Sequence, residues 1–134
     1  LVLQVETDKA VEGAIERIGE EMKSLLKKEG VRYKEIERIK GKEIQVQLSA
    51  RDVVEKFEKV MNDEFANLKE LSRTADTDVP VFVYSLPDKE IARMKSMAAD
   101  QALETVRNRI DQFGVSEPDI RRQGENRIVL FTGG

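Results

Sequence analysis

The sequence of 134 residues contains no cysteine, no histidine and no tryptophan. Without thiols it can form neither disulfides nor thiolate metal sites. Without imidazole it lacks both the usual zinc ligand and the side chain best suited to proton transfer near neutral pH. The lack of cysteine fits an oxidising, extracytoplasmic compartment, as it also fits many cytosolic domains. No apolar run approaches the length of a membrane span and no signal peptide is visible. Lysine and arginine total 23 against 26 aspartate and glutamate, a net charge of -3. That balance gives no general attraction to nucleic acid or anionic lipid.

What is present is periodic. At this length one domain, residues 1–134, is the expectation, with a core that needs no covalent staples. Because "LVLQV" is already strand-like and is not preceded by a polar leader, the chain reads as a piece excised from a longer protein. After that strand, Thr7 or Asp8 can cap a helix with a stripe of Val11, Ala14, Ile15, Ile18, Met22, Leu25 and Leu26. Gly30 is placed to end it in a left-handed C-cap. A strand over Tyr33–Ile39, a turn at Lys40–Lys42 and the alternating "EIQVQL" form a hairpin.

Ser49 with Asp52 resembles a capping box opening a second helix, whose stripe is Val53, Val54, Phe57, Val60, Met61 and Phe65. A weaker strand near Leu68–Ser72, the polar "RTADTD" and the strong β run "VPVFVYSL" make a second hairpin, with Pro80 at a strand start where a missing N–H is tolerable. The third helix opens at Asp88. Ile91, Met94, Ala98, Ala102, Val106, Ile110 and Phe113 are spaced for one buried face, and Gly114 ends it. A last hairpin joins Asp119–Gln123 to "RIVLF".

The first and third helices are followed by matching residues: Gly30, Val31, Ile36, Arg38, Gly41 and Ile44, then Gly114, Val115, Ile120, Arg122, Gly124 and Ile128. The middle copy, Phe65–Leu86, keeps the order of elements but not the residues. The chain is thus one strand and three helix-plus-hairpin units, bounded at 1–48, 49–86 and 87–134. The expected class is α+β, mostly antiparallel sheet with helices on one face; the order over Leu1–Ser72 is the ferredoxin-like βαββαβ, with an additional αββ unit.

The densest cluster of chemically versatile side chains is "RNRIDQFGVSEPDIRRQGENRIV". Arg107, Asn108 and Arg109 flank the apolar Val106 and Ile110 and point toward solvent, with Asp111 or Glu104 within reach of Arg107. Gly114 suits a C-cap, and Pro118 keeps the helix from resuming and holds Glu117 extended. Gly124 and Asn126 both tolerate the positive φ of a tight turn. The hairpin register has two solutions. A two-residue turn places Ile120 opposite Val129; a three-residue turn ending with Asn126 in the left-handed region places Ile120 opposite Leu130 and Arg122 opposite Ile128. In the second, Arg122 shares the apolar face and must snorkel or find an acidic partner. Glu117, Asp119 and Glu125 lie among arginines that hold them ionised, so nothing poises a proton donor. Asp76 and Asp78 lack the remaining ligands of a calcium loop, and no phosphate loop, dinucleotide fingerprint or nucleophile elbow occurs. The residues by themselves describe a scaffold or interaction domain with no catalytic role, no metal and no cofactor.

The run "QALETVRNRIDQFGVSEPDIRRQGENRIV" closely resembles the signature of the SecD family of protein-export membrane proteins, in the first large extracytoplasmic domain. "LVLQVETDKA" is similar to the strand that follows the family's first transmembrane helix. Where the family continues "RIVVQLPG", this chain reads "RIVLFTGG". The resemblance marks Arg107, Asn108, Arg109, Ile110, Asp111, Gly114, Val115, Glu117, Pro118, Gln123, Gly124, Asn126 and Arg127 as signature positions, mainly structural. It implies a base domain on the periplasmic side of the cytoplasmic membrane, in a parent that acts with SecF, the SecYEG channel and YajC on unfolded preproteins, driven by the proton gradient. Two other readings come from different classes. A ferredoxin-like module binding a small regulatory molecule rests on fold analogy alone. Recognition of single-stranded RNA needs exposed aromatics and a basic groove.

Overall fold

The computed structural model describes residues 2–112, 119–124 and 126–131. Its elements follow in the order β1 (Val2–Gln4), α1 (Thr7–Lys28), β2 (Tyr33–Ile39), β3 (Glu43–Leu48), a 3-10 turn at Arg51–Val53, α2 (Val54–Glu64), β4 (Lys69–Thr74), β5 (Val81–Ser85), α3 (Asp88–Gln112), β6 (Asp119–Gln123) and β7 (Arg127–Phe131). One strand followed by three helix-plus-hairpin units is therefore the architecture, and the class is α+β. The strands divide into two antiparallel sheets, ordered β2-β3-β5-β4 and β1-β7-β6. Strand order along the chain does not specify that division. It follows from β1 taking β7, at the far end of the sequence, as its partner.

The chain forms two compact units, Glu12–Asp88 and Leu1–Val11 with Lys89–Gly134. In the first, β3 and β5 are central and alternate strictly. Ile44, Val46 and Leu48 are buried on β3, as are Phe82 and Tyr84 on β5, while Gln45, Gln47, Val81 and Val83 lie on the other face, half-buried. Alternation with a period of two sends successive side chains to opposite faces. From α1, Ile15, Met22 and Leu26 are fully buried, and α2 adds Phe57, Val60 and Met61. Ile18 and Leu25, at the borders of the α1 stripe, are only half-buried.

The rings of Phe57 and Phe82 lie 4.8 Å apart at 45°, and Tyr84 stacks 6.5 Å from Phe82. Burial, with the nearby Glu70 carboxylate adding to it, pushes the Tyr84 hydroxyl well above the usual phenol range. These three aromatics are core residues, so none of them offers a ring for base stacking.

Local chemistry fixes the boundaries. Gly30, at φ 76°, ends α1 in a Schellman motif: Val31 N–H donates to Leu26 O at 2.8 Å and Gly30 N–H to Lys27 O at 3.3 Å. Pro80 sits one residue ahead of β5 and contributes only its carbonyl, which accepts from Leu48 N–H at 2.9 Å. The expected Ser49–Asp52 capping box does not form. The 3-10 turn puts Ala50 at the N-cap with no side-chain cap bond, and Asp52 pairs instead with Arg32 at 3.4 Å.

In the second unit, β7 lies between β1 and β6. The register settles the last hairpin: Ile120 stands opposite Leu130 and Arg122 opposite Ile128, with a three-residue turn. Its left-handed position is Gly124, at φ 67°. The turn also holds β1, since Val5 N–H donates to Asn126 O at 2.6 Å. Ile120 and Ile128 are buried. Over α3, Ile91 and Ala99 are buried, whereas Met94, Ala98, Ala102, Val106 and Ile110 are half-buried. Phe113 and Gly114 lie outside the described residues.

Candidate functional site

The described signature positions do not converge on a reactive centre. Arg107, Asn108, Arg109 and Asp111 are exposed on the last turns of α3, and Ile110 between them is half-buried. Gln123 and Arg127 face each other at the closing end of the last hairpin, and both are exposed. Gly124 supplies the turn's left-handed residue and Asn126 the carbonyl that holds β1. Gly114, Val115, Glu117 and Pro118, expected as cap and helix stop, lie outside the described residues, as does Glu125. Asp119 forms a 3.1 Å ion pair with Arg121 two residues along the same strand.

What the structure does bring together is one recurring contact. Each helix-plus-hairpin unit carries an arginine on the first strand of its hairpin, and that arginine reaches a carboxylate on the helix before it. On β2, Arg38 Nε donates to Glu16 Oε1 at 3.1 Å, and Nη1 donates to the turn carbonyl of Gly41 at 3.2 Å, with Glu12 Oε1 3.7 Å away. On β6, Arg122 Nη1 donates to Asp100 Oδ1 at 3.0 Å and to both Ser96 Oγ and Ser96 O, while Nε donates to the turn carbonyl of Gly124 at 3.1 Å. Both arginines thus bond the helix with one part of the guanidinium and their own hairpin turn with another. The planar fork of donors suits that double duty, and lysine could not reproduce it.

The middle unit has the same contact in altered form. Arg73 on β4 bonds Glu58 of α2 at 2.6 Å and Glu70 of its own strand at 2.8 Å, with its guanidinium carbon 5.1 Å from the centre of the Phe82 ring. Bonds to Glu70 and Glu58 make Arg73 hold its proton still more tightly than an ordinary arginine. Sequence comparison missed this third instance because Arg73 belongs to a strand with a bulge between Glu70 and Ser72, which breaks the spacing. Copies one and three share a spacing of 22 residues between carboxylate and arginine; in the middle copy it is 15. Only the first and third were legible as a repeat.

Electrostatics elsewhere are those of a solvated surface. The Glu90 carboxyl is held below the usual range by its bonds to Arg93. Glu37 is raised above it by the charge of Glu35 and a hydrogen bond with that residue. No group of three or more carboxylates that could hold a metal ion occurs among the described residues. The largest described depression, about 780 Å³ along α1 and β2, is lined by Ile15, Ile36 and Ile44 together with the charged Glu16, Arg17, Glu20, Lys23, Glu37 and Arg38, among which Glu16 pairs with Arg38 and Glu20 with Lys23. No described helix is long and apolar enough to cross a membrane.

Its hairpins fastened to their helices by arginine clamps, the chain belongs to the class of small α+β modules. Comparison with known proteins narrows this. Residues 99–130 match the family model described as the N-terminal part of the P1 domain of protein translocase subunit SecDF. Protein translocase subunit SecD of Syntrophobacter fumaroxidans is 40% identical over 131 residues, covering 97% of this chain and 25% of that protein. The SecD subunits of Pseudomonas aeruginosa, at 33% over 129 residues, and Magnetococcus marinus, at 32% over 130 residues, cover 96% and 97% of this chain and 20% and 24% of their own length. The chain spans about a quarter of the length of the curated relatives it matches. These matches support a SecD P1 domain, and the chain belongs to that family.

Proposed function

We propose that this domain is a non-catalytic base on the extracytoplasmic side of the cytoplasmic membrane, within a SecD subunit that assists the movement and release of exported preproteins. The observation that carries the reading is the triple arginine clamp. A part that transmits displacement needs each hairpin to move with its helix, and each hairpin here is tied to the helix before it by a charge-assisted bond. Tight coupling of packed elements is what lets a small shift at one end reach the other.

Coupling to the proton gradient, and partnership with SecF, the SecYEG channel and YajC, belong to the parent protein in this reading. The domain's own share is mechanical support, in which the exposed arginines of α3 and the hairpin edges are contact surface and not reaction chemistry.

The experiment is depletion of the parent gene in its own organism, followed by pulse-labelling of an exported protein. Precursor accumulates on depletion and clears when the intact gene is restored. Undiminished export on depletion overturns the proposal. A restored gene carrying Arg38→Met together with Arg122→Met clears precursor more slowly at equal protein level.

A further inference from the structure

The four-stranded sheet of the unit Glu12–Asp88 ends in β2 on one side and β4 on the other, and the two edges differ. Along β4 a bulge between Glu70 and Ser72 interrupts the ladder. The clamp of Arg73 on Glu58 crosses from that strand to α2, over a depression of about 300 Å³. Along β2 the bulge lies at the start, between Tyr33 and Glu35, and leaves residues 35–39 in regular register, an open edge of about 17 Å. Beside it runs the 780 Å³ trough between β2 and α1, whose apolar lining is Ile15, Ile36 and Ile44. Gly19 follows Glu16 by three residues on the side of α1 that meets Arg38, and a Cβ there would touch nothing within 4 Å. No side chain from that position closes the trough. Its cations are turned to other uses: Arg38 pairs with Glu16, Lys23 with Glu20, and Arg17 lies back over Gly13, its Nη1 3.6 Å from where a Cβ would stand. An open edge strand with an apolar groove between it and a helix suits strand addition, main chain on the edge and alternate side chains in the groove. The opposite face of β2 supplies selectivity. Glu35 and Glu37, two apart on the strand and both exposed, stand opposite the neutral Gln47 and Gln45. The charge of Glu35 holds the Glu37 carboxyl above its usual range, and among the described residues neither is paired with a cation.

We infer that the β2 edge binds an extended segment of a partner polypeptide that reads basic, apolar, basic, with the apolar side chain in the trough beside Gly19 and the two cations against Glu35 and Glu37. The spacing follows from the pleat. In an added strand the residue opposite Ile36 shares its face and enters the trough, while the residues on either side share the face of Glu35 and Glu37. Lysine or arginine at those two positions neutralises both carboxylates at cross-strand distance. The partner's main chain meets the donors and acceptors that an edge strand leaves unpaired. Charges on an edge deter apolar strands from pairing at random, and the same two glutamates admit a cationic one. A second copy of β2 is a poor partner, since it would set glutamate against glutamate. The β4 edge offers neither an unbroken ladder nor an uncrossed trough.

The test titrates fluorescein-labelled peptides into the parent protein in nonionic detergent and reads fluorescence anisotropy. Their centres are Lys-Leu-Lys, Glu-Leu-Glu or Lys-Gly-Lys, each between Gly-Ser ends. The Lys-Leu-Lys peptide is expected to bind roughly tenfold tighter than either of the others. Glu35→Lys combined with Glu37→Lys, both on an exposed strand face, is expected to reverse the order in favour of Glu-Leu-Glu. Gly19→Leu fills the trough and is expected to weaken Lys-Leu-Lys by roughly tenfold while leaving Lys-Gly-Lys unchanged. Hydrogen exchange locates the site with no substitution at all: saturating Lys-Leu-Lys slows exchange over residues 33–39 and leaves residues 69–74 as they were. Equal binding of the three peptides, no detectable binding, or an order that survives the charge reversal overturns the proposal. So does protection at residues 69–74 in place of 33–39, or protection of 33–39 in the free protein that grows with its own concentration, the mark of a second copy. Export assays do not enter these readouts, so loss of the proposed function and loss of this site are separately visible.

Discussion

Arg38 stands opposite Ile44 across the first hairpin as Arg122 stands opposite Ile128 across the last, and each arginine spans from the helix before it to the turn after it. The cross-strand isoleucines are buried, at 1% accessible in both cases. An arginine beside a buried isoleucine keeps its stem on apolar surface and its head at the rim. The repeat is therefore a packing solution reached twice in one chain: a carboxylate at the helix surface neutralises a cation that the hairpin register has forced onto the apolar face.

Truncating that cation should cost more than removing its partner. Arg122→Met is expected to destabilise the fold by about 1–2 kcal/mol, since its bonds to Ser96, Asp100 and Gly124 vanish together. Asp100→Asn should fall within about 0.5 kcal/mol, because Asp100 is largely solvated and the carbonyl acceptors remain. Urea unfolding of both variants checks this, and equal losses would refute the ordering.

In the first clamp the two glutamates are not equivalent. Glu16 lies 3.1 Å and Glu12 3.7 Å from the Arg38 guanidinium. A double-mutant cycle is expected to give a larger coupling for Arg38–Glu16 than for Arg38–Glu12, both at or below about 1 kcal/mol for pairs this exposed.

Two glycines should respond to alanine in opposite senses. Gly19 lies within α1, and a Cβ there would meet nothing within 4 Å, so Gly19→Ala is expected to stabilise by about 0.5–1 kcal/mol. Space is also open at Gly124, but its φ of 67° disfavours any L side chain, and Gly124→Ala should destabilise by about 1 kcal/mol. Thermal melts of the pair read both signs.

The acidic pair on β2 sets a pH dependence. Glu37 is raised above the ordinary carboxylate range, first by the charge of Glu35 and then by the hydrogen bond its protonated form donates to Glu35. A carboxyl with a higher pKa folded than unfolded binds its proton more tightly in the native state. The pair therefore disfavours folding at neutral pH, and the penalty is relieved as pH falls through the raised pKa. Glu35→Gln should bring the Glu37 titration down toward the ordinary value, read by NMR of the side-chain carboxyl carbon; an unchanged titration would refute the charge assignment.

A core truncation bounds the scale. Phe57 is fully buried between Phe82 and Tyr84, and Phe57→Ala should cost about 3–5 kcal/mol, several times any clamp variant, in the same urea series.

Much of this was written locally. The stripe of α1, the alternation in β3, the stop at Gly30 and the turn at Gly124 follow from side-chain period and backbone permissiveness, which act over a few residues and so leave a direct trace in the sequence. The match of Arg38 with Arg122, each eight residues past a glycine, was likewise visible as a repeat, although their acidic partners Glu16 and Asp100 were not. Other features needed the folded chain. Whether the last hairpin took a two- or three-residue turn depended on which register let Arg122 find Ser96 and Asp100, and β1 found β7 only because strand pairing is decided by which edges meet in space. The clamp of Arg73 on Glu58 escaped the pattern for the same reason: a bulge shifts the register without marking the sequence, and only three-dimensional proximity restores the contact.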